Sequence, residues 1–221
     1  MLIVGNYYLF SDAKGEKIMI PGNELILKCP YCQARKTIMS LISANSSGVI
    51  KWSDGYTVMP MYPQNSEIQQ CSRCKKYFLI NEQNKVGYAS SMSLEPSLLT
   101  FSQWQEALEQ FQKERQLNRE TELIIRLHIW WHHNHTKVQY TRSDFEQNCN
   151  RLLALMDKVG EEYLIMSAEI YRELGYYNKS LDLLRTVDVN SWGHEIKEAA
   201  ILKITDVFIL KNENKGYCIF L

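Results

Sequence analysis

Proline and glycine are both scarce in the chain, 5 and 10 among 221 residues, which leaves a composition of ordinary soluble character with enough apolar residues for a sizeable core. An excess of either charge is also missing, since 25 Lys and Arg balance 25 Asp and Glu for a formal net charge of zero. The chain as a whole therefore lacks the basic surplus by which phosphate neutralisation holds a protein on nucleic acid, and any such binding must be local. Long apolar runs are absent too. Residues 123–131 and 199–210 come nearest, but Arg126, His128, Lys203 and Asp206 interrupt them, well short of the roughly 20 residues that a membrane span needs. No basic region followed by an apolar stretch and a small-residue cleavage site opens the chain, so no secretory signal and no membrane partner are expected.

Cysteine is the residue type whose arrangement says most. Four of the six cysteines form two close pairs, Cys29-Pro30-Tyr31-Cys32 and Cys71-Ser72-Arg73-Cys74. In a chain read as not exported, such pairs point to metal rather than disulfides, and to a reducing, cytoplasmic setting. Each pair presents two thiolates, and Cys29, Cys32, Cys71 and Cys74 together complete the tetrahedral shell of one zinc ion. Redox cycling is the rival reading, but it needs only one pair, set where a strand enters a helix of a parallel sheet, and neither pair has that context. A catalytic or iron site is the remaining alternative. Catalytic zinc keeps a position open for water, whereas four cysteines close the shell, so the expected cofactor is a structural zinc.

Basic residues crowd both pairs: Lys28, Arg35, Lys36, Arg73, Lys75 and Lys76. They read in two ways. They form a candidate nucleic-acid-binding surface, or they offset the net charge of about −2 that four thiolates leave on one zinc. Trp52 and Tyr56 divide similarly between stacking on bases and covering a thin core.

Along the chain, the first ~80 residues read as short strands separated by turns. Runs at 6–10, 17–20, 24–28 and 77–80 are apolar or aromatic, and 11–15 and Pro21-Gly22-Asn23 read as turns between them. Residues 49–52 and 56–59 flank Ser53-Asp54-Gly55, a hairpin signal. Residues 81–99 lack periodicity. From Thr100 the pattern becomes helical, with Thr100 and Gln103 forming a capping box, Asn118 a second cap, and Ser143 with Glu146 another box before a stop near Gly160. Residues 161–174, 178–187 and 192–211 supply three more helices. The expected fold is α+β: a β-rich domain over 1–85, a linker over 86–99 and an all-helical domain over 100–221.

Two families are resembled. Residues 24–80, with a C-x-x-C knuckle beside each of two strands, resemble the zinc ribbon, in which knuckles at two hairpin ends clamp one ion. The connection of about 38 residues between the pairs exceeds the usual 15 to 20, and an inserted hairpin centred on Asp54-Gly55 would absorb it. Residues 161–192 are similar to one tetratricopeptide repeat: Ala168, Tyr171, Leu174-Gly175, Tyr177, Ser180 and Leu184 fall where that family has small, Tyr, turn, Tyr, small and large apolar residues. Leu164 and Trp192 stand where the family often has Trp and Pro. The pair of regions resembles bacterial cytosolic proteins of that build, which implies a fold and not an activity.

His128, His132, His133 and His135 gather near Trp130 and Trp131. His128 and His132 share a helix face, but a third ligand is missing and Ile129 stands where a metalloprotease would carry Glu. They read better as helix-end and packing residues. Cys149 reads as a buried thiol, and the terminal Cys218-Ile219-Phe220-Leu221, which fits a prenylation pattern, lacks a polybasic stretch before it. With no phosphate-cradling loop or nucleophile motif, the expectation is a non-enzymatic adaptor that binds a protein partner through its helical half. The alternative is a nucleic-acid-binding accessory factor that uses the basic knuckles.

Overall fold

The computed structural model describes residues 2–4, 7–9, 19–44, 48–60, 62, 65–91, 97–136, 140–156, 160–185, 187 and 191–210. Small antiparallel sheets occupy the amino-terminal half and six helices follow, the α+β arrangement expected from the sequence. The turn expected at 11–15 and the terminal residues 218–221 lie outside the described residues. No described helix is long and apolar enough to cross a membrane.

Strands β1 (Leu2–Val4) and β2 (Tyr7–Leu9) pair with each other. Strand β3 (Met19–Lys28) pairs with β4 (Arg35–Ala44). The Pro21-Gly22-Asn23 turn expected from the sequence does not form; β3 runs through it, with register shifts between Ile20 and Pro21 and between Gly22 and Leu25. A bulge is where a strand tolerates Pro and Gly. Here a Cβ on Gly22 would come within 2.4 Å of Ser40 Oγ, and the same hydroxyl donates to the Asn23 carbonyl. Strand β4 was not expected, although its Thr37, Ile38, Leu41 and Ile42 suit a strand.

A short hairpin follows, β5 (Ile50–Lys51) and β6 (Thr57–Val58), turning at Ser53-Asp54-Gly55 as the sequence indicates. Strands β7 (Ile68–Gln70) and β8 (Tyr77–Leu79) make another. Strand β9 (Lys85–Tyr88) lies in the stretch expected to be irregular and joins the free edge of β3, giving the order β4-β3-β9. Its pairing is tertiary, so four residues with Gly87 among them gave no local signal.

Helix α1 (Phe101–Lys113) starts at the Thr100–Gln103 capping box, and α2 (Arg119–His135) starts at Asn118, whose side chain accepts from the Thr121 N–H. Helix α3 (Arg142–Met156) begins before the Ser143–Glu146 box expected from the sequence. Thr141 Oγ1 accepts from the Asp144 N–H at 3.1 Å, so a pair with the same spacing caps the helix two residues earlier. Then come α4 (Glu161–Glu173), α5 (Tyr177–Leu183) and α6 (Gly193–Ile201). The last ends well before the expected residue 211. Lys203 takes a left-handed φ of 56°, and the N–H groups of Lys203 and Ile204 return to Ala200 and Ala199, a Schellman-type stop. The chain beyond is extended: Ile209 bridges Trp52, and Leu210 N–H donates to the Lys51 carbonyl.

Among the described residues, those of Met1–Gly48 and Met59–Leu117 form one compact unit, and those of Val49–Val58 and Asn118–Leu221 the other. Helix α1 thus belongs with strands β3, β4, β7, β8 and β9. The β5–β6 hairpin, although it stands between the two cysteine pairs in sequence, belongs with the other helices. The second unit is centred on Leu127, Trp130, Phe145, Cys149, Leu152, Met156, Met166 and Ile170, with Ile165, Ala168, Leu184 and Ile196 in an adjoining cluster. Helices α2 and α3 are also joined by Glu122, which accepts from Arg151 at 2.6 Å and Arg126 at 2.8 Å.

Candidate metal centre

The two cysteine pairs occupy equivalent turns. Cys29 and Cys32 lie in the β3–β4 connection, and Cys71 and Cys74 in the β7–β8 connection. In the first, Cys29 N–H donates to Ala34 O at 2.8 Å and Gln33 N–H to Cys29 O at 3.0 Å. In the second, Cys71 N–H donates to Lys76 O at 2.9 Å and Lys75 N–H to Cys71 O at 3.0 Å. Gln33 and Lys75, each following the second cysteine, adopt left-handed φ values of 62° and 61°. The bend points backbone N–H groups inward: those of Tyr31 and Cys32 reach the Cys29 sulfur, and those of Arg73 and Cys74 the Cys71 sulfur.

These turns bring the four sulfurs within 4.8 Å of one another. Cys29 Sγ is 3.7 Å from Cys74 Sγ, and Cys32 Sγ is 3.6 Å from Cys71 Sγ. Metal–sulfur bonds of about 2.3 Å in a tetrahedron set neighbouring sulfurs about 3.8 Å apart. The four cysteines are therefore close enough to hold one metal ion, and the all-thiol donor set is consistent with zinc. No cysteine in the cluster is tied up in a disulfide. Among the described residues it is the only group of three or more His, Cys, Asp or Glu side chains placed to hold a metal.

The thiols are electrostatically unequal. Burial pushes the Cys29 thiol up to about 12. Burial acts upward on Cys71 as well, but the N–H groups of Cys74 and Arg73 and the thiols of Cys32 and Cys74 outweigh it and bring Cys71 down to about 6. The inward-pointing N–H groups thus favour the thiolate form, the form that binds metal.

Helix α1 supports the centre from residues that the sequence did not single out. Tyr31, inside the first knuckle, donates to Glu114 at 2.9 Å and accepts from Gln110 at 3.3 Å. Gln110 also accepts from Tyr77 N–H at 2.9 Å and donates to Tyr77 O at 3.0 Å, so its amide satisfies backbone groups at the edge of β8. Tyr77 donates its hydroxyl to Glu106 at 2.6 Å. Glu106, Gln110 and Glu114 recur every four residues, one face of α1. That spacing was the available signal, but nothing in the sequence tied it to the knuckles.

The six basic residues do not act alike. Lys76 pairs with Glu114 at 2.9 Å and lies 4.4 Å from the Tyr31 ring centre. Lys36 is half-buried and its ammonium is pushed down by burial. Lys28 stands directly across from Arg35 in the β3–β4 ladder, a like-charge pair that gains from a nearby anion. Arg35, Arg73 and Lys75 are exposed.

The other candidates are dispersed. His133 stacks on Phe145 at 4.1 Å, and burial pushes its imidazole down. His128 lies edge-on to Trp131, and His135 meets Asp54 at 2.9 Å. Trp52 and Tyr56 pack against His135. Cys149 is buried in the second unit's core, and burial drives its thiol up. Comparison with family models, with curated proteins and with solved structures gives no match for the chain.

Proposed function

We propose that the protein is a non-enzymatic adaptor of the reducing cytoplasm, in which a structural zinc on Cys29, Cys32, Cys71 and Cys74 holds a ribbon and the helices offer a surface to a partner protein. The observation that carries this reading is the meeting of exposed large apolar side chains at the start of α5 and the end of α6, where the Tyr177 hydroxyl donates to the Lys203 carbonyl. Tyr176 is 53 % exposed, Ile201 61 %, Leu202 69 % and Ile204 41 %, and apolar surface of that kind marks interaction sites when it is contiguous. The tetratricopeptide-like reading is supported by the α4–α5 pair, which turns at Gly175 with a φ of 81° and buries Ala168 and Ser180 completely. Four thiolates leave no ligand position for a substrate or water, which supports a holding role for the metal.

The second reading, nucleic-acid binding, is favoured by Arg35, Arg73 and Lys75 on the exposed side of the knuckles. Two full-length variants separate the two. Leu202→Glu combined with Tyr176→Glu should abolish recovery of a protein partner from the native cell extract, while Arg35→Gln, Arg73→Gln and Lys75→Gln together leave it intact. The reverse pattern, with nucleic-acid affinity whose salt slope falls by about one unit per cation removed, favours the second.

A further inference from the structure

The turn of the β5–β6 hairpin meets the helices at a buried charged cluster. Asp54 and Glu169 have no exposed surface, nor has Arg172, and Glu173 is 5 % exposed. Arg172 is committed to one of the acids: its Nε and Nη2 contact Glu169 at 2.7 Å and 2.5 Å, and Nη1 donates to the Ile204 carbonyl. The Ser53 hydroxyl completes the surroundings of Glu169. Asp54 and Glu173 are left with mostly neutral donors and share one of them. Asn134 Nδ2 lies 2.9 Å from Asp54 Oδ2 and 3.3 Å from both oxygens of Glu173. Trp130 Nε1 donates to Glu173 at 2.9 Å, and Tyr56 N–H to Asp54 at 3.0 Å.

We propose that this cluster is a proton-dependent latch, which fastens the hairpin to the helices while it holds one extra proton and loosens when that proton leaves.

With every acid ionised, three carboxylates face one guanidinium, and only a protonated His135, 2.9 Å from Asp54, adds a second cation. A carboxylate buried without a counter-charge is strongly disfavoured, so the closed arrangement is favoured when the shared site carries a proton. The remaining titratable groups do not change that sign. Helix α3 contributes the Cys149 thiol, α5 the Tyr177 hydroxyl, and the hairpin Tyr56, all neutral when protonated. Burial first, then the charges of Glu169 and Asp54, hold the Glu173 carboxyl well above the usual range. A group raised in this way stabilises the closed form fully below the ordinary carboxyl range and loses that contribution as pH rises through its raised value. Glu122 has the opposite sign: Arg151 foremost, and Arg126, hold it low against its burial, so the α2–α3 clamp weakens in acid.

The test is hydrogen exchange in the intact, zinc-loaded chain from about pH 5.5 to about pH 8.5. Corrected for intrinsic chemistry, the opening of amides in β5, its turn and β6 should rise by up to tenfold per pH unit, the slope for release of one proton. Amides of α1 serve as the internal control. Glu173→Gln keeps an acceptor for Trp130 and Asn134 but cannot ionise, and should flatten the rise to within about twofold across the range. Asp54→Asn, which removes the other charge at the shared donor, should flatten it in part if Glu173→Gln fails to fold. A flat profile in the unsubstituted chain, or its full slope retained in both variants, overturns the latch.

Discussion

The two units solve the problem of a small core differently. In the cysteine-bearing unit the candidate ligands are themselves core: Cys29 and Cys71 are buried among Leu27, Ile38 and Phe78, with Cys32 and Cys74 packed against them. In the helical unit the interior is side-chain packing, with Trp130, Leu127, Leu152 and Ile170 all at 0 % exposure. Beyond β3 and β4 the strands of the first unit are only three or four residues long and bury little surface on their own. The first unit therefore adds the cysteine cluster to the packing of Ile68, Trp104, Ala107 and Phe111, while the other relies on steric fit alone. Each can be perturbed with a change that should spare its neighbour.

The largest effect is expected from Cys71→Ser. Four-ligand zinc contributes on the order of 10 kcal/mol to small domains of this kind, more than most domains have to lose. The variant should bind well under half an equivalent of zinc by elemental analysis. Amide protection in β3, β4 and β8 should vanish while that of α2 and α4 persists. Collapse of both units together would show that the contrast is not real.

Ala168→Trp comes next. Ala168 is fully buried beside Ile165, Leu184 and Ile196, so a large ring overpacks the contact by about 1 to 3 kcal/mol or more. Thermal unfolding should show this in the helical unit, with zinc content unchanged. Lys179→Ala, which removes an exposed ammonium from over the Tyr171 and Tyr176 rings, should have the smaller effect. Equal melting temperatures for the two would remove the repeat-like reading of α4 and α5.

The smallest effect is expected at the knuckles' left-handed positions. Glycine at Gln33 or Lys75 relieves a strain of roughly 1 to 2 kcal/mol but adds freedom to the unfolded chain worth about half of that. Gln33→Gly and Lys75→Gly should each stabilise the ribbon by under about 1 kcal/mol, seen as slower zinc loss to a chelator. A marked loss of zinc in either would mean that the side chain, and not the backbone bend, maintains the turn.

Legibility followed the range of the interactions. The cysteine spacing and the helix starts at Thr100 and Asn118 are local chemistry, and the structure matches them. Strand β9 and the use of Glu106, Gln110 and Glu114 to steady Tyr31 and Tyr77 depend on residues far apart in sequence, and no window of residues contains both partners. Asp54 was visible as a turn former but not as a buried carboxylate, because its partners Asn134, His135 and Glu173 come from α2 and α4. The run 199–210 is largely apolar, broken only by Lys203, Thr205 and Asp206, yet only its first residues are helical. The β-branched Ile204, Thr205, Val207 and Ile209 favour the extended path that meets the hairpin.

That interleaving bears on how the chain is made. The last helix beside the knuckles, α1, ends at Lys113, so both knuckles and their supporting helix leave the ribosome before α2 to α6 emerge. Domains generally fold as they emerge, and the ribbon can close on its metal early. The β5–β6 hairpin cannot finish then, because Asn134, Glu173 and Phe208 have still to emerge. A nascent chain would thus carry Trp52 and Asp54 unhoused on a metal-loaded ribbon until translation is nearly complete, and any truncation before α4 would leave them so permanently.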